Sequence, residues 1–125
     1  MLKDKDAHAT VAVKDLDAAR GFYGGTLGLE ELGPQNSEVV TYRSGRSKLL
    51  VYRSDYAGTN QATAVNWAVG DDVAELARAL AAKGVRFERY PSEEMTLEGD
   101  VHVMGDFRVA WFRDPDDNIL SLVSD

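Results

Sequence analysis

Few side chains in this sequence are suited to proton transfer or transition-metal binding near neutral pH. The 125 residues include two histidines, His8 and His102, and no cysteine. An imidazole can act as an acid, a base or a metal ligand, whereas the lack of cysteine excludes disulfides, thiolate zinc sites and cysteine nucleophiles. Neither a glycine-rich phosphate loop nor a nucleophile elbow is present. Any chemistry therefore depends on where the fold places the two imidazoles.

The composition is that of an ordinary globular domain with an acidic balance. Hydrophobic residues make up 44% and charged residues 28%, which excludes wholesale disorder. The 14 Lys and Arg against 21 Asp and Glu give a net charge of −7, which disfavours binding to nucleic acid. Residues 1–6 alternate in charge, and no apolar run approaches the ~20 residues of a membrane span. We therefore expect a cytoplasmic protein with neither nucleic-acid nor membrane partners.

The sequence contains an internal duplication. After a shift of 56 residues, the segment 12–15 (AVKD) falls on 68–71 (AVGD), and Gly28 falls on Gly84. Each matched segment lies at the end of a Val- and Ala-rich run typical of a strand, and each glycine follows a helical pattern. Two copies of one structural unit are indicated.

A larger shift relates the last strands of the two halves. After a shift of 70 residues, 40–43 falls on 110–113 and 49–50 falls on 119–120. The difference, 70 − 56 = 14, indicates an insertion in the second half. The acidic, aperiodic segment 91–104 is the natural candidate, and we expect it to form a loop.

Each half is predicted to contain a strand, a helix and then three strands. We expect one domain over 1–125, with a first module at about 7–53, a linker at 54–62 and a second module at about 63–125. The predicted elements are 7–13, 15–26, 28–32, 37–43 and 48–53 in the first module, and 63–69, 71–83, 85–89, 107–113 and 118–123 in the second.

Two segments carry a resemblance to a known family. Residues 8–23 (HATVAVKDLDAARGFY) and 111–118 (WFRDPDDN) resemble the vicinal oxygen chelate superfamily, which includes glyoxalase I, bleomycin resistance proteins, fosfomycin resistance enzymes and extradiol dioxygenases. The resemblance implies an α+β fold in which two tandem βαβββ modules form a curved, mostly antiparallel sheet, a cup with the helices outside. It also implies a homodimer.

The same resemblance identifies the positions at which family enzymes bind a divalent metal. One side chain from the first strand and one from the last strand of each module point into the cup, usually His or Gln and Glu. These positions correspond here to His8, to Ala64 (8 + 56), to Ser121, and to Val51 (121 − 70). Valine and alanine have no ligating atom and serine is a poor ligand, so we expect no metal and no cofactor.

The remaining cup surface is expected to suit an organic ligand. Strand alternation places one imidazole, hydroxyls, an amide and aliphatic side chains such as Leu49 on it, and the family resemblance adds Thr41 and the large aromatic ring of Trp111. The predicted function is metal-free binding of a small organic molecule, with a cationic molecule as one option, as in the bleomycin-resistance branch. The expected ligand-binding residues are His8, Thr10, Thr41, Val51, Ala64, Asn66, Trp111 and Ser121.

Two other functions stay open at this point. One is a metal-independent lyase or isomerase that uses His8 as its acid or base. The other is a metal-dependent glyoxalase or dioxygenase with ligands recruited from His102 or Glu98 in the insertion. The acidic segment 91–104 itself is either a lid over the cup or a solvated loop.

Overall fold

The first module is a βαβββ unit. The computed structural model describes residues 1–33 and 38–125, so the first residue of the strand predicted at 37–43 lies outside the described part. Asp15 caps the first helix by accepting hydrogen bonds from the backbone N–H groups of Asp17 and Ala18. The elements are β1 (Ala9–Val13), α1 (Leu16–Ala19, continuing as a π-helix over Arg20–Thr26), β2 (Glu30–Leu32), β3 (Val39–Ser44) and β4 (Ser47–Arg53).

The second module repeats this order and adds two strands. A short 3₁₀ turn, Gly70–Asp72, precedes its helix. The elements are β5 (Thr63–Ala68), α2 (Val73–Ala82), β6 (Phe87–Glu88), β7 (Thr96–Glu98), β8 (Val101–Met104), β9 (Phe107–Arg113) and β10 (Ile119–Val123). Within the described residues, no helix combines the length and the apolar character that a bilayer crossing requires.

The expectation of a loop over 91–104 is wrong for its second half. Residues 96–98 and 101–104 pair as the antiparallel hairpin β7–β8, and β8 then pairs with β9. Gly99 provides the turn with a φ of +64°, a conformation that glycine adopts without strain. The hydrophobic alternation that sheet pairing needs is present in only four residues, Val101 to Met104, which is too short to stand out from the acidic surroundings.

The strands form two sheets, one for each module, in which most neighbouring strands are antiparallel. The first has the order β1-β4-β3-β2, with β1 parallel to β4 and the other pairs antiparallel. The second has the order β5-β10-β9-β8-β7, with β5 parallel to β10, and β6 pairs with the other half of β9. This arrangement confirms the α+β fold of two tandem modules.

Both modules contribute to one hydrophobic core on the helix side of the sheets. Val11 and Val13 of β1 and Phe22 and Tyr23 of α1 belong to the same buried cluster as Phe112 of β9. The cluster also includes Val40, Tyr42, Leu49, Val51, Val73, Ala77, Val85, Val101, Ala110, Leu120 and Leu122. The opposite face of the sheets, which we call the concave face, is not covered by this core and is the face where we look for a ligand site.

The prediction that Val51 and Leu49 line the concave face is wrong. Val51 pairs with Val11 and is buried with it on the helix side. The reason is hairpin length, because Tyr42 pairs with Leu49, whereas its counterpart Phe112 pairs with Leu120. The shift between the last strands is therefore 120 − 49 = 71, not 70, and one residue of slip moves a strand's side chains to the other face.

The turn between β9 and β10 joins the two modules. The Asp114 carboxylate accepts a hydrogen bond of 2.7 Å from the Tyr23 hydroxyl of α1, and the Asn118 amide donates one of 2.7 Å to the Ala12 carbonyl oxygen of β1. The Asp116 carboxylate accepts a third from the Lys14 backbone N–H. The DPDDN segment thus holds module 2 against module 1.

The linker packs on this same turn. Gly58 has a φ of +76°, and a Cβ built there would overlap the carbonyl oxygen of Asp116. Only glycine satisfies both conditions, since other residues strain at positive φ and would also clash. The path of the linker across the turn therefore depends on Gly58.

Candidate functional site

The concave face carries one row of matched residues from each module. Thr10, Leu50 and Thr41 are paired across β1, β4 and β3. In the second module, Asn66, Ser121 and Trp111 are paired across β5, β10 and β9. Paired residues of neighbouring strands point to the same face. The structure thus brings the predicted residues Thr10 and Thr41 together in one sheet, and Asn66, Trp111 and Ser121 in the other.

The positions equivalent to the family's metal ligands do not form a metal site. They are occupied by His8, Ala64 and Ser121 and, after correction of the register, by Leu50 instead of Val51. Leucine and alanine have no donor atom, and a catalytic divalent metal takes about three protein ligands. Across residues 1–33 and 38–125, no three His, Cys, Asp or Glu side chains lie close enough to hold an ion. The donor set does not fit the metal that family enzymes use.

His8 and Ala64 flank the matched rows. His8 directly precedes β1 and is exposed, and Ala64 is an exposed residue of β5. Within the described part of the chain, no residue hydrogen-bonds to the His8 imidazole. An acid–base histidine usually has a partner that fixes its tautomer and orientation, and residues 1–33 and 38–125 offer His8 no such partner.

His102 lies on the concave face, as part of strand β8. The sequence indicated only that it belongs to the insertion at 91–104. His102 pairs with Val109 of β9 and is 0% exposed. Its Nε2 accepts a hydrogen bond of 2.8 Å from the backbone N–H of Tyr90, so the neutral ring carries its proton on Nδ1. Among the described residues, nothing hydrogen-bonds to that Nδ1.

Of the two residues named as possible metal ligands in the insertion, His102 or Glu98, the hairpin places only His102 on the concave face. Leu97 is the residue that pairs with His102, so Leu97 and His102 share the concave face. Glu98, the next residue, pairs with Val101, which is part of the core. Because successive residues of a strand alternate, Glu98 and His102 point to opposite faces.

Three rings form an aromatic cluster on this face. His102 and Trp111 meet edge to face at 4.8 Å, and Tyr90 and Trp111 do so at 5.3 Å. The indole N–H of Trp111 donates a hydrogen bond of 3.1 Å to Thr63 Oγ1. Edge-to-face contacts of this kind stabilise the ring orientations. Trp111 is therefore held in a defined position while remaining partly exposed.

A cavity of about 560 Å³ opens beside this cluster. Tyr90, Trp111 and Ile119 contribute apolar surface, and linker residues such as Asn60 and Gln61 contribute polar groups. This volume lies within the range of about 300–1,000 Å³ that is usual for small-molecule sites. The sequence analysis predicted Trp111 as a ligand-binding residue, but it did not predict that linker residues border the cavity.

The charged groups around the cavity are paired with one another. The Arg113 guanidinium binds the Glu88 carboxylate, and its Nη1 donates to the Asp117 carbonyl oxygen at 3.2 Å. The hydrogen bond to Glu88 raises the pKa of Arg113 above its ordinary value. Asp117 in turn pairs with Arg86 at 3.1 Å. The cavity therefore has no isolated charge among these four groups.

Two βαβββ modules that share a concave sheet face define a class of small-molecule binding folds and enzymes. The chain belongs to the Glyoxalase/Bleomycin resistance protein/Dioxygenase superfamily, whose family model matches residues 6–122. The resemblance seen in the sequence is thereby confirmed. A comparison with curated proteins gives no match.

Solved structures share this fold at low sequence identity. The glyoxalase family protein from Enterococcus faecalis is 17% identical, with a TM-score of 0.73 over 98% of this chain and 99% of that chain. A fosfomycin resistance protein from Listeria monocytogenes is 18% identical, with a TM-score of 0.68 over 98% and 91%. A lactoylglutathione lyase from Agrobacterium tumefaciens is 19% identical, with a TM-score of 0.68 over 96% and 92%. Such identities show a common fold alone.

Proposed function

We propose that this protein binds a small organic molecule in the concave cavity beside Trp111, without a metal ion. One observation carries the proposal: the positions of the family's metal ligands hold His8, Leu50, Ala64 and Ser121, while an aromatic cluster and a cavity of about 560 Å³ lie on the same face. A ligand in this cavity contacts rings and amides, and no step of its binding needs a Lewis acid.

The ligand we favour carries a positive charge next to an aromatic or apolar group. The net charge of −7 attracts cations to the protein as a whole. Tyr90 and Trp111 offer aromatic rings for a cation–π contact. Arg113 is already neutralised by Glu88, so it opposes a cation less than its formal charge suggests.

We also propose that the protein is a homodimer. The strands β2 and β7 form the outer edges of the two sheets, and their backbone groups lack a further strand within the described chain. Leu97 on the edge strand β7 and Met104 on the neighbouring strand β8 are both exposed. Open edges and exposed apolar side chains are surfaces that proteins commonly cover by association.

Thermal unfolding in the presence of organic cations tests the binding proposal. Suitable probes are the glycopeptide bleomycin, the aminoglycoside kanamycin and the aromatic amine tryptamine, with indole-3-acetate as the anionic counterpart of tryptamine. At ten times its Kd, a ligand stabilises the native state by about 1.4 kcal/mol and raises Tm by about 4 °C. We expect such a shift with at least one cation and a smaller one with indole-3-acetate.

Two variants show whether the shift arises in the concave cavity. Trp111→Leu removes the central ring, so we expect it to abolish the ligand-induced shift relative to its own ligand-free Tm. Tyr52→Leu is the matched control, because Tyr52 is also a partly exposed aromatic residue on the concave face, but in module 1. No shift with any of the probes, or an equal shift in both variants, would contradict the proposal.

A further inference from the structure

A second pocket lies on the opposite side of the sheet from the concave cavity. It has a volume of about 180 Å³ and lies between α2 and the helix-packed face of module 2, where the end of α1 approaches. Leu76 and Leu80 of α2 border it on one side, and Leu27, at the end of α1, borders it on another. None of the residues that surround it also surrounds the cavity beside Trp111. The two pockets are therefore independent of each other.

Two stacked rings form part of its surface. Trp67 and Phe112 lie 6.2 Å apart with an angle of 24° between their planes, and both border the pocket. The remaining described residues around it are Leu or Val apart from Ser44, and none of them is charged. An apolar cavity of about 150 Å³ is large enough to hold benzene and has no groups that would retain water.

Ser44 supplies the one hydrogen-bonding group. Its hydroxyl oxygen accepts a hydrogen bond of 2.8 Å from the indole N–H of Trp67. A serine hydroxyl can also donate one hydrogen bond. Within the described residues, the Ser44 hydroxyl proton has no acceptor. The contact with Trp67 thus fixes the oxygen and leaves a proton for an acceptor atom in the pocket.

We propose that this pocket is a binding site for a small uncharged ring compound that carries one hydrogen-bond acceptor. Its volume accommodates about one six-membered ring with a small substituent. The apolar surroundings exclude a charged ligand, because a charge buried there would have no partner. The Ser44 proton favours a ring with an oxygen substituent over a plain hydrocarbon.

The two tryptophans of the chain distinguish the apolar pocket from the concave cavity, although Trp67 and Ser44 also border a third, more polar pocket beside Lys48. Trp67 borders the apolar pocket and Trp111 borders the concave cavity, and there is no third tryptophan. In a ¹⁵N–¹H spectrum of the full chain, we expect phenol to shift the Trp67 indole resonance with a Kd of about 1 mM and to leave that of Trp111 unchanged. Benzene is expected to bind more weakly, because it cannot accept the Ser44 proton.

A matched pair of leucine variants tests the location. Leu76 and Leu97 are both 37% exposed, but only Leu76 borders the apolar pocket. Leu76→Phe adds a ring at the pocket entrance, so we expect phenol affinity to fall by about tenfold or more. Leu97→Phe, on β7, is expected to leave phenol affinity unchanged. Both substitutions are at partly exposed sites, and the spectrum itself shows whether each variant is folded.

Three outcomes would overturn this inference: no shift of the Trp67 resonance with phenol, a shift confined to Trp111, or equal phenol affinity in the two leucine variants. None of them excludes binding of an organic cation in the concave cavity, which is tested separately through Trp111. Conversely, failure of every organic cation to bind beside Trp111 would leave the phenol result intact.

Discussion

Replacing Asp114 by alanine is expected to lower the free energy of unfolding by about 4 kcal/mol and Tm by about 10–15 °C. The Asp114 carboxylate is 1% exposed and accepts four hydrogen bonds, from the Tyr23 hydroxyl, the backbone N–H groups of Asp116 and Asn118, and the Asn118 amide. Alanine leaves these donors without an acceptor, and a buried unsatisfied group costs about 1–3 kcal/mol. Chemical denaturation measures the loss.

Asp116→Ala is the control, because it changes the same residue type in the same turn. Its carboxylate accepts one hydrogen bond at an exposed site, from the Lys14 backbone N–H. The expected loss is about 1 kcal/mol or less. Equal losses in the two variants would show that Asp114 does not join the modules as described.

The effect of Asp114 should also depend on pH. Burial raises the pKa of its carboxyl above the ordinary value of 3.8, and the hydrogen bonds from Asn118 and Tyr23 offset only part of this rise. The folded state therefore binds the proton more readily than the unfolded state, and stability is lost as pH rises through the folded-state pKa. The difference in stability between wild type and Asp114→Ala is expected to grow as pH falls through that value toward 3.8.

A pair of tyrosines provides the second large effect. Tyr23 and Tyr42 are 0% and 1% exposed, and their rings lie 6.1 Å apart. Burial raises the pKa of the Tyr23 hydroxyl well above its ordinary value, so it remains a donor to Asp114. Among the described residues, the Tyr42 hydroxyl has no hydrogen-bond partner. The two residues thus differ mainly in one hydrogen bond.

Tyr23→Phe is expected to destabilise the protein by about 2 kcal/mol, since it removes a hydrogen bond to a buried carboxylate. Tyr42→Phe is expected to change stability by about 0.5 kcal/mol or less, or to increase it, because it removes a buried hydroxyl that is not satisfied. Denaturant midpoints at constant m-value give both numbers. A larger loss for Tyr42→Phe than for Tyr23→Phe would be inconsistent with the hydrogen bonds described here.

Much of the fold follows from features that are local in the sequence. Strands β1 and β5 and their helices follow from short Val- and Ala-rich runs, each followed by a helical pattern, and the 56-residue repeat links them. The repeat also predicted that Thr10 and Asn66 would be equivalent. Each of them is paired with the equivalent residue of the last strand of its module, Leu50 and Ser121.

The register of β4 could not be read from the sequence. Leu49–Leu50 resembles Ile119–Leu120, but the connection between β3 and β4 is a two-residue turn, and that between β9 and β10 is longer. Hairpin register depends on turn geometry, which apolar residue types do not reveal. Val51 was therefore predicted on the wrong face of the sheet, and Leu50 is the β4 residue that lies on the concave face. Neither side chain can ligate a metal, so the corrected register leaves the expectation of a metal-free site unchanged as a prediction.

The aromatic cluster was only partly predictable. Trp111 followed from the family resemblance and the repeat, but its partners Tyr90 and His102 lie next to and in the insertion. Their contact depends on β8 pairing with β9, a long-range arrangement for which four residues give little local signal. The hydrogen bond from the Tyr90 backbone to His102 is likewise a tertiary feature, since no sequence spacing specifies it.

The residues on the concave face are consistent with the function proposed here. The fold retains the concave face on which relatives hold a metal, but Leu50 and Ala64 replace two ligand positions. In the same face, Tyr90, His102 and Trp111 supply rings, and the linker supplies amides. Recognition by rings and amides replaces coordination chemistry in the function proposed here.

The most direct test of metal-independent binding is calorimetric titration of the organic cation that gives the largest thermal shift. The titration is made first in excess EDTA and then in EDTA-free buffer with added MnCl₂. We predict the same Kd in both buffers within about twofold, and loss of binding in both for Trp111→Leu. Binding that disappears in EDTA and returns with Mn²⁺ would contradict the claim, because a metal would then be required at the positions of His8, Leu50, Ala64 and Ser121.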